Sequence, residues 1–194
     1  AGAISVTAGS TGTAAAIKGA GTSLLEVGTA AATGTDTATG GNLTLTGDSV
    51  TDGAGAALNV KIGVASGGAS QTQGKLIVTT DGAGANGAIR IASAEDLSTG
   101  LVRAQGTGAL INVAVTGTGN TLTVADDMNT AAITSGTSGT SGSITLTTAD
   151  GDVTINTTKT VKTGAVSGLT AGTNAVAGAI SVTAGSTGTA AAIK

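Results

Sequence analysis

Residues 1–18 and residues 177–194 carry the same eighteen letters, AGAISVTAGSTGTAAAIK, without one change. The offset of 176 residues makes the chain one full period of a tandem array, 1–176, followed by the start of the next, 177–194. A repeat that continues into its own copy suits a quasi-one-dimensional architecture, in which each unit buries an apolar end against its neighbour. The expectation is a rod or fibre. A self-contained domain with duplicated ends is the alternative.

Composition narrows how such a rod can be built. The chain has no Phe, Trp, Tyr, Pro, Cys or His, so it lacks the aromatic side chains from which globular cores draw much of their buried area. Its apolar content is mostly Ala, Val, Ile and Leu, which fills many thin, equivalent layers better than one thick core. Only 10% of residues are charged and mean hydropathy is +0.36, the reverse of the composition that keeps a chain disordered. A net charge of −3 supplies no basic field for phosphates, so nucleic acid is not an expected partner. No apolar run approaches the ~18 residues of a membrane span, and no charged-then-apolar leader opens the chain, so any secretion signal is expected to lie outside these residues.

Period-two alternation pervades the chain. Ile4 and Val6 flank Ser5, Leu43 and Leu45 flank Thr44, and Leu58, Val60 and Ile62 alternate with Asn59 and Lys61. Ile89 and Ile91 flank Arg90, Ile111, Val113 and Val115 alternate with Asn112 and Ala114, and Leu122/Val124, Ile144/Leu146 and Val153/Ile155 continue the pattern. Successive strand side chains point to opposite faces. Val6, Leu45, Val60, Ile91, Val113, Val124, Leu146 and Ile155 are therefore expected inside, with Thr44, Lys61, Arg90 and Thr123 outside. Clusters such as TGTDTATGG, TDGAGA, SGGASQTQG and TSGTSGTSGS read as turns. The absence of Pro fits windings whose N–H groups are needed for ladders above and below. Helix is expected only as one short turn at Ser93–Leu97, with Ser93 capping and Asp96 answering it.

The central polar residues of successive runs lie 21 (Ser5 to Glu26), 18 (Glu26 to Thr44), 17 (Thr44 to Lys61) and 22 (Thr123 to Thr145) positions apart. Read as one coil each, at about 20 residues, these spacings predict an all-β solenoid of roughly nine coils per period. At ~4.8 Å per stacked strand that is ~40 Å of rod. The nine-position step from Thr145 to Thr154 is read as neighbouring strands of one coil.

Segments such as GGNLTLTGDSVTDGAGAALNV and GSITLTTADGDVTINTTKTV resemble the coils of filamentous-haemagglutinin-type adhesins and other giant bacterial surface proteins. The resemblance implies a right-handed β-helix, export from a bacterium, an extracellular or cell-surface location, and a role in adhesion or a surface layer. The lack of any aromatic residue departs from that pattern.

Chemistry is sparse. Without His, Cys or Tyr a nucleophile has only Lys or a carboxylate to activate it, and sugar cleavage lacks aromatic platforms for the rings. The chain is expected not to be an enzyme, with no catalytic residue and no cofactor. Asp126-Asp127 and Asp150-Gly151-Asp152 offer oxygen ligands of the kind Ca²⁺ takes, but neither matches a calcium-loop spacing. A solvated turn is the preferred reading and no metal site is assigned. Asn42-Leu43-Thr44 and Asn156-Thr157-Thr158 match the glycosylation sequon, as chance allows in so Thr-rich a chain. The pairs Thr44/Thr46, Thr121/Thr123 and Thr145/Thr147 are similar to the outward Thr ranks of some ice-binding proteins. Their uneven spacing favours ordinary β propensity.

The expected function is thus a structural repeat of a long extracellular bacterial filament or adhesin. Its partners are adjacent copies end to end, with lateral association of fibres as a further contact. The alternative is a module that binds ice or glycan through a Thr-rich face.

Overall fold

A computed structural model describes residues 1–9, 15–51, 53–81, 87–106, 108–132, 139–170, 174–187 and 190–194. Among them every named element is a β-strand and every strand pairing is parallel. Asp52 of the expected TDGAGA turn, and 134–138 of TSGTSGTSGS, lie outside the described residues.

Two large sheets carry the fold. The first stacks Ile4–Thr7, Leu43–Gly47, Leu76–Thr80, Leu97–Ala104, Leu122–Val124 and Val153–Ile155 in that order, and Met128–Thr130 and Val161–Lys162 extend its upper ranks. The second stacks Ile17–Lys18, Val50–Thr51, Ile89–Ser93, Ile111–Val115, Ile144–Thr148 and Ile180–Thr183, with Leu24–Val27 and Leu58–Ile62 beside its lower ranks. The chain visits the two sheets alternately, which makes the architecture consistent with a β-solenoid. In the two lowest windings it detours through a lobe, where Ala30–Ala32 pairs with Ala65–Gly67 and Thr37–Thr39 with Ser70–Thr72.

The registers stack like on like. Ile17, Val50, Ile89, Ile111, Ile144 and Ile180 form one aliphatic column. Val6, Leu45, Val78, Val102, Met128 and Val161 form another in the first sheet. Leu45, Val60, Ile91, Val113, Val124 and Leu146 are buried, whereas Val6 and Ile155, in the first and last ranks of their sheet, are only half-buried against the core. Thr44, Lys61, Arg90 and Thr123 lie on the outer face and none is buried, as alternation requires.

Ladder partners sit from 22 residues apart (Ile89 to Ile111) to 40 (Val153 to Ile193). The expected coil of about twenty residues is therefore corrected. Ser5 and Thr44 lie in the first sheet, and Glu26 and Lys61 belong to strands of the second. The spacings near 20 measure the passage from one sheet to the other, half a winding, so roughly nine coils do not fit the period. The nine-position step from Thr145 to Thr154 does join neighbouring strands of one winding.

A second correction concerns Ser93–Leu97, which is not helical. Ser93 Oγ accepts from Glu95 N at 3.2 Å and donates to Glu95 O at 3.0 Å, closing a tight turn. Leu97 then begins an eight-residue strand whose register slips by one between its Leu76 and Val78 pairings. The extra residue lets both Leu97/Thr99 and Val102/Ala104 face inward while Leu101 is exposed, the usual effect of a bulge.

Candidate functional site

The acidic pairs are best understood from the strand starts. Asn42, Asp96, Asp127, Ser143 and Asp152 each stand just before the first inward apolar residue of a strand: Leu43, Leu97, Met128, Ile144 and Val153. The side-chain oxygen of each accepts the backbone N–H of the matching residue one winding on. The donors are Lys75 (2.9 Å), Thr121 (2.7 Å), Thr160 (3.0 Å), Ala179 (3.4 Å) and Ala192 (2.7 Å). In return the N–H of the following apolar residue donates to the carbonyl of that same donor residue, as Leu97 N does to Thr121 O at 3.0 Å and Met128 N to Thr160 O at 2.8 Å. Both polar groups of the incoming corner are satisfied before the ladder begins.

Asp127 adds a second bond, from Thr160 Oγ1 at 3.1 Å. Asp126 accepts from Lys159 Nζ at 3.0 Å and from Asp127 N at 2.9 Å. The Lys159 ammonium, and then the Asp127 amide, hold the Asp126 carboxyl below its ordinary pKa, and Asp126 in turn raises Lys159. Asp152 is lowered in the same way by Lys194 and then by the Ala192 amide, and Asp150 accepts from Gly119 N. The residues weighed as calcium ligands are thus engaged by ammonium and amide donors across windings. Among the described residues no three carboxylates gather.

Buried hydroxyls serve the strand exits. Thr80, Thr130 and Thr148 each donate to a carbonyl of their own winding, Gly87, Gly142 and Gly151, and accept an N–H from the next, Gln105, Gly164 and Gly185. A further sequence signal explains the corners: a small residue two places before the first inward apolar one, as in GAISV, GNLTL, GKLIV, GAIRI, GSITL and GDVTI. Here windings approach so closely that a Cβ on Gly41 would overlap Gly2 O, and one on Gly142 would overlap Ala109 O. Position within this G-x-Ω-x-Ω signature (Ω, aliphatic) is what the reading by alternation alone missed.

The outer face does not gather the three Thr pairs. Thr44/Thr46 and Thr123 belong to the first sheet, Thr145/Thr147 to the second, and Thr121 precedes its strand with its amide held by Asp96. Thr7, Thr46 and Thr79 do stack, but Arg103, Asn129 and Lys162 continue that column. The first sequon is built into a corner through Asn42 Oδ1. The second forms a turn closed by Lys159 N to Asn156 O at 3.0 Å, with Thr158 at a φ of 67°.

Two clefts remain. One, of about 200 Å³, lies under the step where the lobe ends, between Val64 and Gln73 on one side and Asp96 and Thr121 on the other. Gln73 there closes the free edge of Ala65–Gly67, accepting from Ala65 N at 2.8 Å and donating to Ala65 O at 3.0 Å. An amide that mimics a strand partner blunts an otherwise open edge. The other cleft is shallow and follows Arg103, Asn129 and Lys162.

No helix among the described residues is long and apolar enough to cross a membrane. Compared with protein-family models, curated proteins and solved structures, the chain gives no match in any of the three.

Proposed function

We propose that the chain is a structural repeat of a long extracellular bacterial filament or adhesin, a right-handed β-helix that propagates by stacking windings end to end. The observation that carries this reading is the state of the ladder ends. Ile4–Thr7 and Ile180–Thr183 are the outermost strands of their sheets, and each is made by the same residues of the eighteen-residue duplication. Large apolar side chains are exposed beside those ends, among them Leu24, Val176, Ile180 and Ile193, as in solenoid units that need a neighbour to cover them. The 176-residue period then comprises five and a half windings, or about 26 Å of rod at ~4.8 Å per rank, in place of the ~40 Å expected from twenty-residue coils.

The extracellular and bacterial assignment rests on the adhesin-like texture and on a cysteine-free chain, whose stability comes from stacking instead of disulfides. The non-enzymatic reading rests on the shortage of activating bases. A Thr-face binding role has less support, because the Thr pairs divide between two sheets.

Arrays of one, two and four repeats test the proposal by chemical denaturation. Solitary windings cannot offset their conformational entropy, whereas stacked ones share ladders and columns. The midpoint is expected to rise with repeat number, and a midpoint independent of it overturns the reading.

A further inference from the structure

The two copies of the duplicated segment do not sit on the same side of the rod. Ile4–Thr7 opens the first sheet and Ile17–Lys18 the second. In the upper copy, Ile180–Thr183 closes the second sheet on Ile144–Thr147, and Ile193 bridges to Val153 of the first. The same residues have exchanged sheets. Both sheets accept them because both read the same signature: GNLTL, GKLIV and GDVTI in the first, GAIRI and GSITL in the second. An interior column that takes Leu43 above Ile4 is chemically equivalent to one that takes Ile180 above Ile144.

We propose that the upper edge of Ile180–Thr183 is covered by the residues equivalent to Leu43–Gly47 in the repeat that Ile180–Thr183 itself opens, and that successive repeats are consequently related by a half-turn about the rod axis. This rests on the tandem-array reading. The lower copy already shows the occupant and its register: Ile4 to Leu43, Ser5 to Thr44, Val6 to Leu45 and Thr7 to Thr46. Five and a half windings separate equivalent residues, so every second repeat presents its surfaces on the opposite side. The lobe makes this visible. In the lower windings it lies on the path from the second sheet to the first, between Leu24–Val27 and Leu43–Gly47. In the next repeat it lies on the path from the first sheet to the second. Any partner that recognises the lobe meets it alternately on two edges of the filament, and the spacing on one edge is two repeats, about 53 Å, not about 26 Å.

The chain has no cysteine, so introduced thiols report cleanly. In the 194-residue protein, Thr147→Cys with Thr183→Cys places two outward thiols on registered neighbours of the second sheet, within disulfide reach. Thr7→Cys with Thr46→Cys is the matching control in the first sheet. In a four-repeat array, Thr147→Cys of the first repeat with Thr7→Cys of the second, which is position 183 here, tests the junction. A bulky maleimide label on Thr35→Cys, in the exposed turn of the lobe, marks the sides in electron micrographs. Formation of all three disulfides, with labels alternating between edges, is the expected result. If Thr147 and Thr183 do not link in the array and labels fall regularly on one edge about 26 Å apart, the half-turn is overturned while the array stands. Absence of the Thr147–Thr183 link in the array, with irregularly spaced labels, overturns the array reading and the half-turn with it.

Discussion

Thr99 offers the sharpest test of how this core is held together. Its side chain is fully buried, it stacks between Leu76 and Val124 in an otherwise aliphatic column, and its Oγ1 finds no partner among the described residues. Replacing it with Val keeps the shape and exchanges the hydroxyl for a methyl. An unpaired buried hydroxyl costs about 1–3 kcal/mol in protein mutational data. Thr99→Val is therefore expected to stabilise the chain by about 1–2 kcal/mol, or roughly 2–8 °C in Tm for a chain of this size. Thr148→Val is the same chemical change with the opposite expected sign. The Thr148 hydroxyl joins Gly151 O to Gly185 N across two windings, and its loss strands both groups at a cost of about 1–3 kcal/mol. Urea unfolding of the two variants, with unchanged m-values as the control for two-state behaviour, measures the difference. Equal signs, or a destabilised Thr99→Val, refute the claim that polar satisfaction at the corners, and not hydroxyl content, decides stability here.

Further outcomes follow from the corners and their charges. Asn42→Ala removes the acceptor for Lys75 N and is expected to cost about 1 kcal/mol, with Asn42→Asp restoring it; equal unfolding midpoints for Asn42→Ala and the parent chain exclude the clamp. Gly142→Ala drives a Cβ into Ala109 O, whereas a Cβ on Gly2 meets nothing; a loss of about 2–3 kcal/mol is expected for the first and little change for the second in the single repeat, both read from urea midpoints. Asp126 and Asp152 titrate below the ordinary carboxylate value in the folded chain, so their contribution is present above about pH 4 and fades as pH falls through the lowered values. Lys159 is raised, so its share is present below about pH 10 and fades as pH climbs through the raised value. Asp126→Asn should flatten both limbs of the midpoint-against-pH curve, and an unchanged curve removes the pair from the account.

Alternation made much of this fold legible before any coordinates. Buried Leu45, Val60, Ile91, Val113, Val124 and Leu146 follow from period two, because a one-residue slip would have turned Lys61 and Arg90 inward. What alternation does not carry is the length of a winding. Glu26, Thr44 and Lys61 recur at nearly equal steps because both sheets require the same pattern, and nothing local tells a half-winding from a whole one. The strand Leu97–Ala104 was hidden for a different reason. Its bulge breaks the alternation between Thr99 and Val102, and Ser93 and Asp96 at the preceding turn imitate a helix cap. Asp96 instead spends its oxygen on Thr121, a partner 25 residues on that no local motif predicts. The candidate acidic pairs were visible as pairs, but their role as clamps requires knowing which residue stands above them.

The interchange of sheets follows from the same economy of means. A winding without aromatic residues has no bulky anchor to distinguish one face from the other, so the two sheets share alternating aliphatics and mostly small corner residues, with the clamps Asn42, Asp96, Asp127 and Asp152 in the first and Ser143 in the second. That minimal code is enough to set register: Leu43 over Ile4 and Ile180 over Ile144 both satisfy it. It does not by itself set which sheet the duplicated segment joins. The sheet is chosen by winding count, which the connecting lengths determine, and these vary from the tight Ile89-to-Ile111 step to the lobed steps below. The duplicated segment can therefore join either sheet without changing the kind of side chain it meets: Leu43 over Ile4 in the first and Ile180 over Ile144 in the second.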